Sequence, residues 1–240
     1  MSEVASHEVT LLGERVNYDL KQSDEATEPR IEVDIHGVTV ILPPKSSADP
    51  EILLHENAAW VVEKKRKFDT YREDIPQRKF EPGESFPYLG NPHEVIIERR
   101  SSSVVGDNTL RLAKHHVQET SVKRALETLY RRKARERFES QANRYASEMG
   151  VEYEKIEVRN QRTKWGSCST TGTLGLNWRL MMAPPEICDY VIIHELAHLS
   201  EPNHTDAFWS LVAKYDPEYE SHSRWLENHG AELIFSDDDI

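Results

Sequence analysis

The chain has 240 residues, a formal net charge of −12 and 30% charged residues, enough length to bury one good core or one core with a small appended module. The negative charge repels polyanions at long range and disfavours nonspecific binding to nucleic acid or an anionic membrane. No run approaches the roughly 18 apolar residues of a membrane span, and the first 30 residues lack the apolar core of a signal peptide, so the expected location is the cytoplasm.

Residues 1–30 are polar and read as a loosely ordered segment, with one strand near residues 9–12. Ile31, Val33 and Ile35 alternate with polar residues, and Val38, Val40 and Leu42 alternate again after His36-Gly37. That pattern predicts a β-hairpin and makes His36 a turn residue rather than a ligand. Pro43-Pro44 ends the hairpin, and a helix follows over residues 51–68, with Trp60 and Val61 on its apolar face and a basic end from Lys64 to Lys67. Residues 69–85 form a polar loop. A second hairpin spans residues 86–89 and 94–98 around Gly90-Asn91-Pro92, and residues 99–107 are a polar connection.

The longest predicted helix covers residues 121–149, because Val122, Ala125, Leu126, Leu129, Ala134, Phe138, Ala142 and Tyr145 recur at helical spacing. Gly150 suits its C-cap. Arg131, Arg132, Lys133, Arg135 and Arg137 form a basic stripe, read as a solvated face paired with Glu136 and Glu139. Strands are predicted over residues 153–158 and 172–180. Asp237, Asp238 and Asp239 read as a solvated tail, and no internal repeat is visible. Cys168 and Cys188 are expected as free thiols.

The strongest chemical signal is His194-Glu195-Leu196-Ala197-His198. On a helix the two histidines fall at i and i+4 and project from one face, where they can hold one zinc ion. Glu195 follows the first ligand and can reach a metal-bound water as general base. Pro184 and Pro185 are placed to open the helix, and Pro202 to stop it near Ser200 or Glu201. Asn203, which tolerates left-handed backbone, turns the chain so that His204 stands at the spacing of a third ligand. Three protein ligands leave the open position of a catalytic zinc site. His222 and His229 are the other histidines weighed, His222 with a surface position. Asp206 belongs to the first turn of a helix over residues 205–215. Asn177, Ser167 and Asp206 are candidates for orienting the imidazoles, and Tyr190 and Arg179 for stabilising an oxyanion. The strand over residues 172–180 is the candidate to border the cleft and pair with a peptide. Trp165, Trp178 and Trp209 can line a pocket but fit a core better.

Five separated blocks then resemble a known family: Trp165-Gly166-Ser167-Cys168, Leu176-Asn177-Trp178-Arg179-Leu180, Tyr190-Val191 running into the His-Glu motif, Asn203-His204, and Phe208-Trp209. In that order they resemble the YgjP-like (SprT-related) zinc metallopeptidases, most strongly over residues 159–226. The resemblance implies an α+β fold: a small zincin-like domain of active-site helix, long backing helix and short sheet, after an N-terminal β-rich part. The organisation expected is a loose segment 1–30, a β-rich part with one helix 31–118, the metallopeptidase domain 119–230 and an acidic tail 231–240. The resemblance also implies one Zn2+ per chain on His194, His198 and His204, with Glu195 as catalytic base and no other cofactor. The chain departs from the family at Lys164, where relatives usually carry Arg. It departs again at residues 21–28, which are mostly acidic or neutral where relatives are basic.

The expected function is therefore zinc-dependent hydrolysis of peptide bonds in a protein or peptide substrate. Two alternatives remain open: a metal-dependent hydrolase of another substrate, such as a nucleotide phosphoanhydride, and a non-catalytic zinc-binding module. No Gly-rich phosphate loop favours the nucleotide. The sequence does not set the oligomeric state.

Overall fold

The computed structural model describes residues 5–24, 26–34, 36–161, 164–236 and 239. Ile35 of the expected first hairpin, residues 1–4, and Asp237 and Asp238 of the expected tail lie outside the described residues. The fold is α+β, in two compact units that meet in sequence at Ile75 and Pro76.

The first unit is a sheet of β1 (Ala5–Leu11), β2 (Glu14–Gln22), β3 (Arg30–Asp34) and β4 (Gly37–Leu42), ordered β1-β2-β4-β3. Most of the expected loose N-terminal segment is thus two paired strands. The reason is a period-2 apolar set within its polar composition: Val9, Leu11, Val16 and Tyr18 are buried on one face. They pack with Val38, Val40 and Leu42 and with Leu54, Val61 and Val62 of two helices, α1 (Pro50–Glu56) and α2 (Ala58–Glu73). The single helix expected over residues 51–68 is broken at Asn57, whose side-chain amide donates to the Leu53 carbonyl at 2.9 Å.

The second unit opens with β5 (Ser85–Tyr88), β6 (Asn91–Glu98), β7 (Val104–Gly106) and β8 (Thr109–Ala113), ordered β5-β6-β8-β7. Part of the expected polar connection 99–107 is therefore strand. This order repeats that of the first unit: an antiparallel hairpin, a parallel inner pair, then a second antiparallel hairpin. Both first hairpins turn on Leu-Gly with positive φ, Leu12 (50°) and Gly13 (86°), then Leu89 (49°) and Gly90 (77°). The sequence showed no repeat because the duplication is one of topology and turn geometry.

The two turns differ in what they touch. A Cβ on Gly13 meets nothing within 4 Å, whereas one on Gly90 would stand 3.1 Å from the Pro184 Cα. Leu89 N–H also donates to the Met181 carbonyl at 2.8 Å, so the second turn abuts the entry to the helix that carries the His-Glu motif. Gly13→Ala should cost the left-handed strain of about 1–2 kcal/mol. Gly90→Ala should cost more and displace Pro184. Equal losses in urea unfolding would contradict this difference.

After α3 (Lys114–Glu119), the backing helix α4 runs Val122–Met149, with Ser121 capping its start through the Arg124 N–H and left-handed Gly150 closing it at φ 70°. Ala125, Leu126, Leu129, Tyr130, Ala134, Phe138, Ala142 and Ala146 form its buried stripe. Three residues of its basic stripe are paired within the chain: Arg131 with Glu127 at 2.8 Å, Lys133 with Glu136 at 2.7 Å, and Arg137 with Asp189 at 2.7 Å.

A three-stranded sheet follows, built from β9 (Lys155–Arg159), β10 (Gly166–Cys168) and β11 (Thr173–Asn177), ordered β10-β11-β9. β11 is central and wholly buried, so the free edges belong to β9 and to the three-residue β10. A 3-10 turn, Trp178–Met182, leads to α5 (Pro185–Ala197), α6 (Asp206–Tyr215) and α7 (Tyr219–His229). Residues 231–235 are core rather than tail: Ala231, Leu233, Ile234 and Phe235 are all buried. The Phe235 ring lies 5.0 Å from those of Phe80 and Trp178. No described helix is long and apolar enough to cross a membrane.

Candidate metal centre

α5 is apolar almost all round, with Ile187, Cys188, Tyr190, Val191, Ile192, Ile193, Leu196 and Ala197 buried, as a helix inside a core must be. It is fixed to α4 by Asp189, which meets Arg137 and accepts from the Tyr145 hydroxyl at 3.3 Å. Pro185 sets its first turn, and His198 is its C-cap. The helix ends a turn earlier than Ser200, in tight turns from Ser200 N–H and Glu201 N–H to the Ala197 carbonyl. The chain then reaches Thr205, whose hydroxyl caps α6 at the Phe208 N–H. Asn203 is not among the residues of positive φ, so the turn closes without left-handed backbone there.

This path brings His194, His198 and His204 together, with one ligand-capable atom of each within 4.8 Å of the others. His194 Nε2 and His204 Nε2 are 3.0 Å apart. Two nitrogens on one tetrahedral zinc, at about 2.0–2.1 Å from the ion, stand about 3.3–3.4 Å apart, so the spacing fits a shared cation. His198 Nδ1 lies 3.3 Å from the Glu201 carbonyl, an acceptor that favours N–H there and leaves Nε2 as the lone pair. Burial, then the neighbouring His198 and His204, push His194 down to about 4, which keeps its imidazole in the neutral form a metal requires.

Phe208, fully buried on α6, lies under all three imidazoles, its ring 4.9, 4.6 and 4.7 Å from those of His194, His198 and His204. Trp209 stacks on the His204 ring at 5.5 Å. Glu195 is 6% exposed and rests against the backbone of β10: a Cβ on Gly166 would come 2.4 Å from its Oε1. Burial pushes the Glu195 carboxyl up to about 7, with Lys164 partly opposing.

These two groups give a pH signature in metal-free protein. A carboxyl rising from 4.5 to about 7 on folding loses stability as pH rises through that window. An imidazole falling from 6.5 to about 4 gains stability as pH rises through its own. Each gap is about 2.5 pH units, or about 3 kcal/mol. The two oppose each other between pH 4.5 and 6.5, and His198, also held below its ordinary value by burial, adds to the rise. The Glu195→Gln variant should therefore gain stability with pH more steeply than the parent. A variant whose chelated urea midpoint did not rise more steeply with pH than the parent's would refute the opposition.

Beside Glu195 and His194 opens a cleft of about 330 Å³, walled by Lys164, Trp165, Tyr190, Val191 and Leu226, among others. The bordering strand is β10, through Gly166, rather than the stretch 172–180, because β11 is flanked on both sides. Tyr190 lines the cleft together with Ser223. Arg179 is 2% exposed and engaged with Asn177 and the Gln161 carbonyl instead. Asn177 likewise donates to the Gln161 and Lys164 carbonyls and not to an imidazole. Ser167 lies opposite Gly175 in the sheet, and Asp206 is exposed in the first turn of α6. His222 is half-buried with Nδ1 2.8 Å from Asp216, and His229 pairs with Glu232, so neither joins the triad. Trp178 is core, while Trp165 and Trp209 stand at the site. Cys168 and Cys188 are free. The sequence reading missed the cleft contribution of Ser223, Leu226 and Glu227 on α7. The amphipathic spacing of that helix was the available signal.

A family profile described as "YgjP-like, metallopeptidase domain" matches residues 27–229. Two solved structures are similar in part. The metallopeptidase zymogen of Pyrococcus abyssi abylysin is 23% identical, with a TM-score of 0.36 over 40% of this chain and 99% of that one. The metallopeptidase zymogen of Methanocaldococcus jannaschii jannalysin is 24% identical, with a TM-score of 0.35 over 38% and 94%. No curated protein matches the chain.

Proposed function

The chain belongs to the YgjP-like metallopeptidase family, a family of metal-dependent peptidases, and on that premise we propose that it is a zinc peptidase with His194, His198 and His204 as ligands and Glu195 as general base. The observation that carries the reading is the convergence of three imidazoles around one point beside a buried carboxylate. Zinc bound there supplies Lewis acidity toward the scissile carbonyl and activates a water.

The residues do the rest. Glu195 takes the proton of the attacking water at its carboxylate and returns it to the leaving nitrogen. Among the described residues β10 is an edge strand, on which an extended peptide can add as a further strand. The cleft beside it accepts one substrate side chain against Trp165, Val191 and Leu226. The Tyr190 hydroxyl, from the cleft lining, is the candidate donor toward the oxyanion.

Elemental analysis paired with cleavage of unfolded casein tests the reading. The parent should hold one zinc and cleave, and His198→Ala should lose both. Zinc without cleavage of any polypeptide would turn attention to nucleotide phosphoanhydrides; no metal in the parent would remove the site assignment.

A further inference from the structure

The penultimate residue, taken from composition as part of a solvated acidic run, is 5% exposed. The Asp239 Oδ1 accepts from the Asn160 side-chain amide at 2.8 Å, and Oδ2 accepts from the Ser236 N–H at 3.1 Å. Oδ2 also stands 3.9 Å from Nη1 of Arg179, itself 2% exposed. A guanidinium this deeply buried costs several kcal/mol of desolvation unless a carboxylate faces it and its donors are used.

This guanidinium also donates to the connection between β9 and β10 and to Asn177, which holds the same connection. Arg179 Nη2 donates to the Gln161 carbonyl at 2.6 Å, and its Nε to Asn177 Oδ1 at 3.2 Å. Asn177 Nδ2 donates to the Gln161 and Lys164 carbonyls at 2.8 and 3.2 Å, and its N–H to the Trp165 carbonyl at 2.9 Å. The guanidinium also lies 5.6 Å from the Trp165 ring. Lys164, Trp165 and Gly166 are the wall of the cleft beside Glu195.

We propose that Asp239 is a positioning residue for the cleft: through Arg179 and Asn160 it tethers the connection that sets Lys164, Trp165 and Gly166 against Glu195. The inference rests on the peptidase reading for its consequence, but the tether stands on geometry alone. Without the carboxylate, the buried guanidinium loses the counter-charge that faces it at 3.9 Å, and the bond to the Gln161 carbonyl loosens with it.

The test is hydrogen exchange and kinetics on Asp239→Ala and Asp239→Glu in the full chain, with zinc content measured in each. Asp239→Ala should exchange the amides of Asn160, Gln161 and Lys164 to Gly166 at least about tenfold faster, keep one zinc per chain, and lose about 10- to 100-fold in kcat/KM on unfolded casein. Asp239→Glu should recover part of both losses. Unchanged exchange at those amides, or faster exchange spread over the whole second unit, overturns the tether. Faster local exchange with undiminished kcat/KM overturns the positioning role. A parent that cleaves nothing refutes the peptidase reading and with it that role, and the exchange arm still decides the tether.

Discussion

Replacing Glu195 by Gln should lower turnover about 10²- to 10⁴-fold, the usual contribution of a general acid–base group, and leave metal content at the parent's level. Gln has the shape of Glu, so it keeps the fit against Gly166, where no added atom is tolerated near Oε1. It cannot accept the water proton as a carboxylate does. The imidazoles of His194, His198 and His204 are untouched, so zinc measured by elemental analysis should not change. Undiminished cleavage of unfolded casein by the variant would remove Glu195 from the mechanism.

Phe208→Ala should be the most damaging change that touches no candidate ligand atom. The ring is fully buried and packs at 4.6 to 4.9 Å from three imidazoles that come from α5 and from the loop before α6. Removing it opens a cavity where two elements meet, at a cost of about 3–5 kcal/mol. The imidazoles also lose the surface that orients them, and supporting groups of this kind are worth about 10- to 100-fold in metal affinity. Urea unfolding with chelator present separates the first effect from the second, which a competition titration reads. Phe208→Leu should recover most of the stability. A Phe208→Ala chain with unchanged zinc affinity would show that the triad orients itself.

Much of the site was legible because its signal is local. His194 and His198 sit at helical spacing, and His204 follows a proline that must end the helix. The backing helix was legible for the same reason: eight apolar positions at one period, with Ser121 and Gly150 at its ends. The failures have a common physical form. β1, β2 and the C-terminal residues are polar in composition, yet bury the few groups that matter, Val9, Leu11, Val16 and Tyr18 in one case and Phe235 and Asp239 in the other. Composition averages over faces, and burial does not. β10 spans three residues, below the length at which alternation carries information. Arg179 looked available to a substrate because its sequence neighbours match a motif, whereas its partners, Asp239 and the Gln161 carbonyl, are distant in sequence. The break at Asn57 was missed because apolar residues continue in phase on both sides.

Gly166 gives the candidate base a wall made of main chain. Every substitution there adds mass and none removes it, so variation at this one position can only fill the space against the candidate base. The rest of the lining, from Lys164, Trp165, Tyr190, Val191, Ser223, Leu226 and Glu227, consists of side chains that point mutations can shorten, lengthen or recharge. The shape of the cleft is therefore free to drift everywhere except at the glycine that touches the carboxyl.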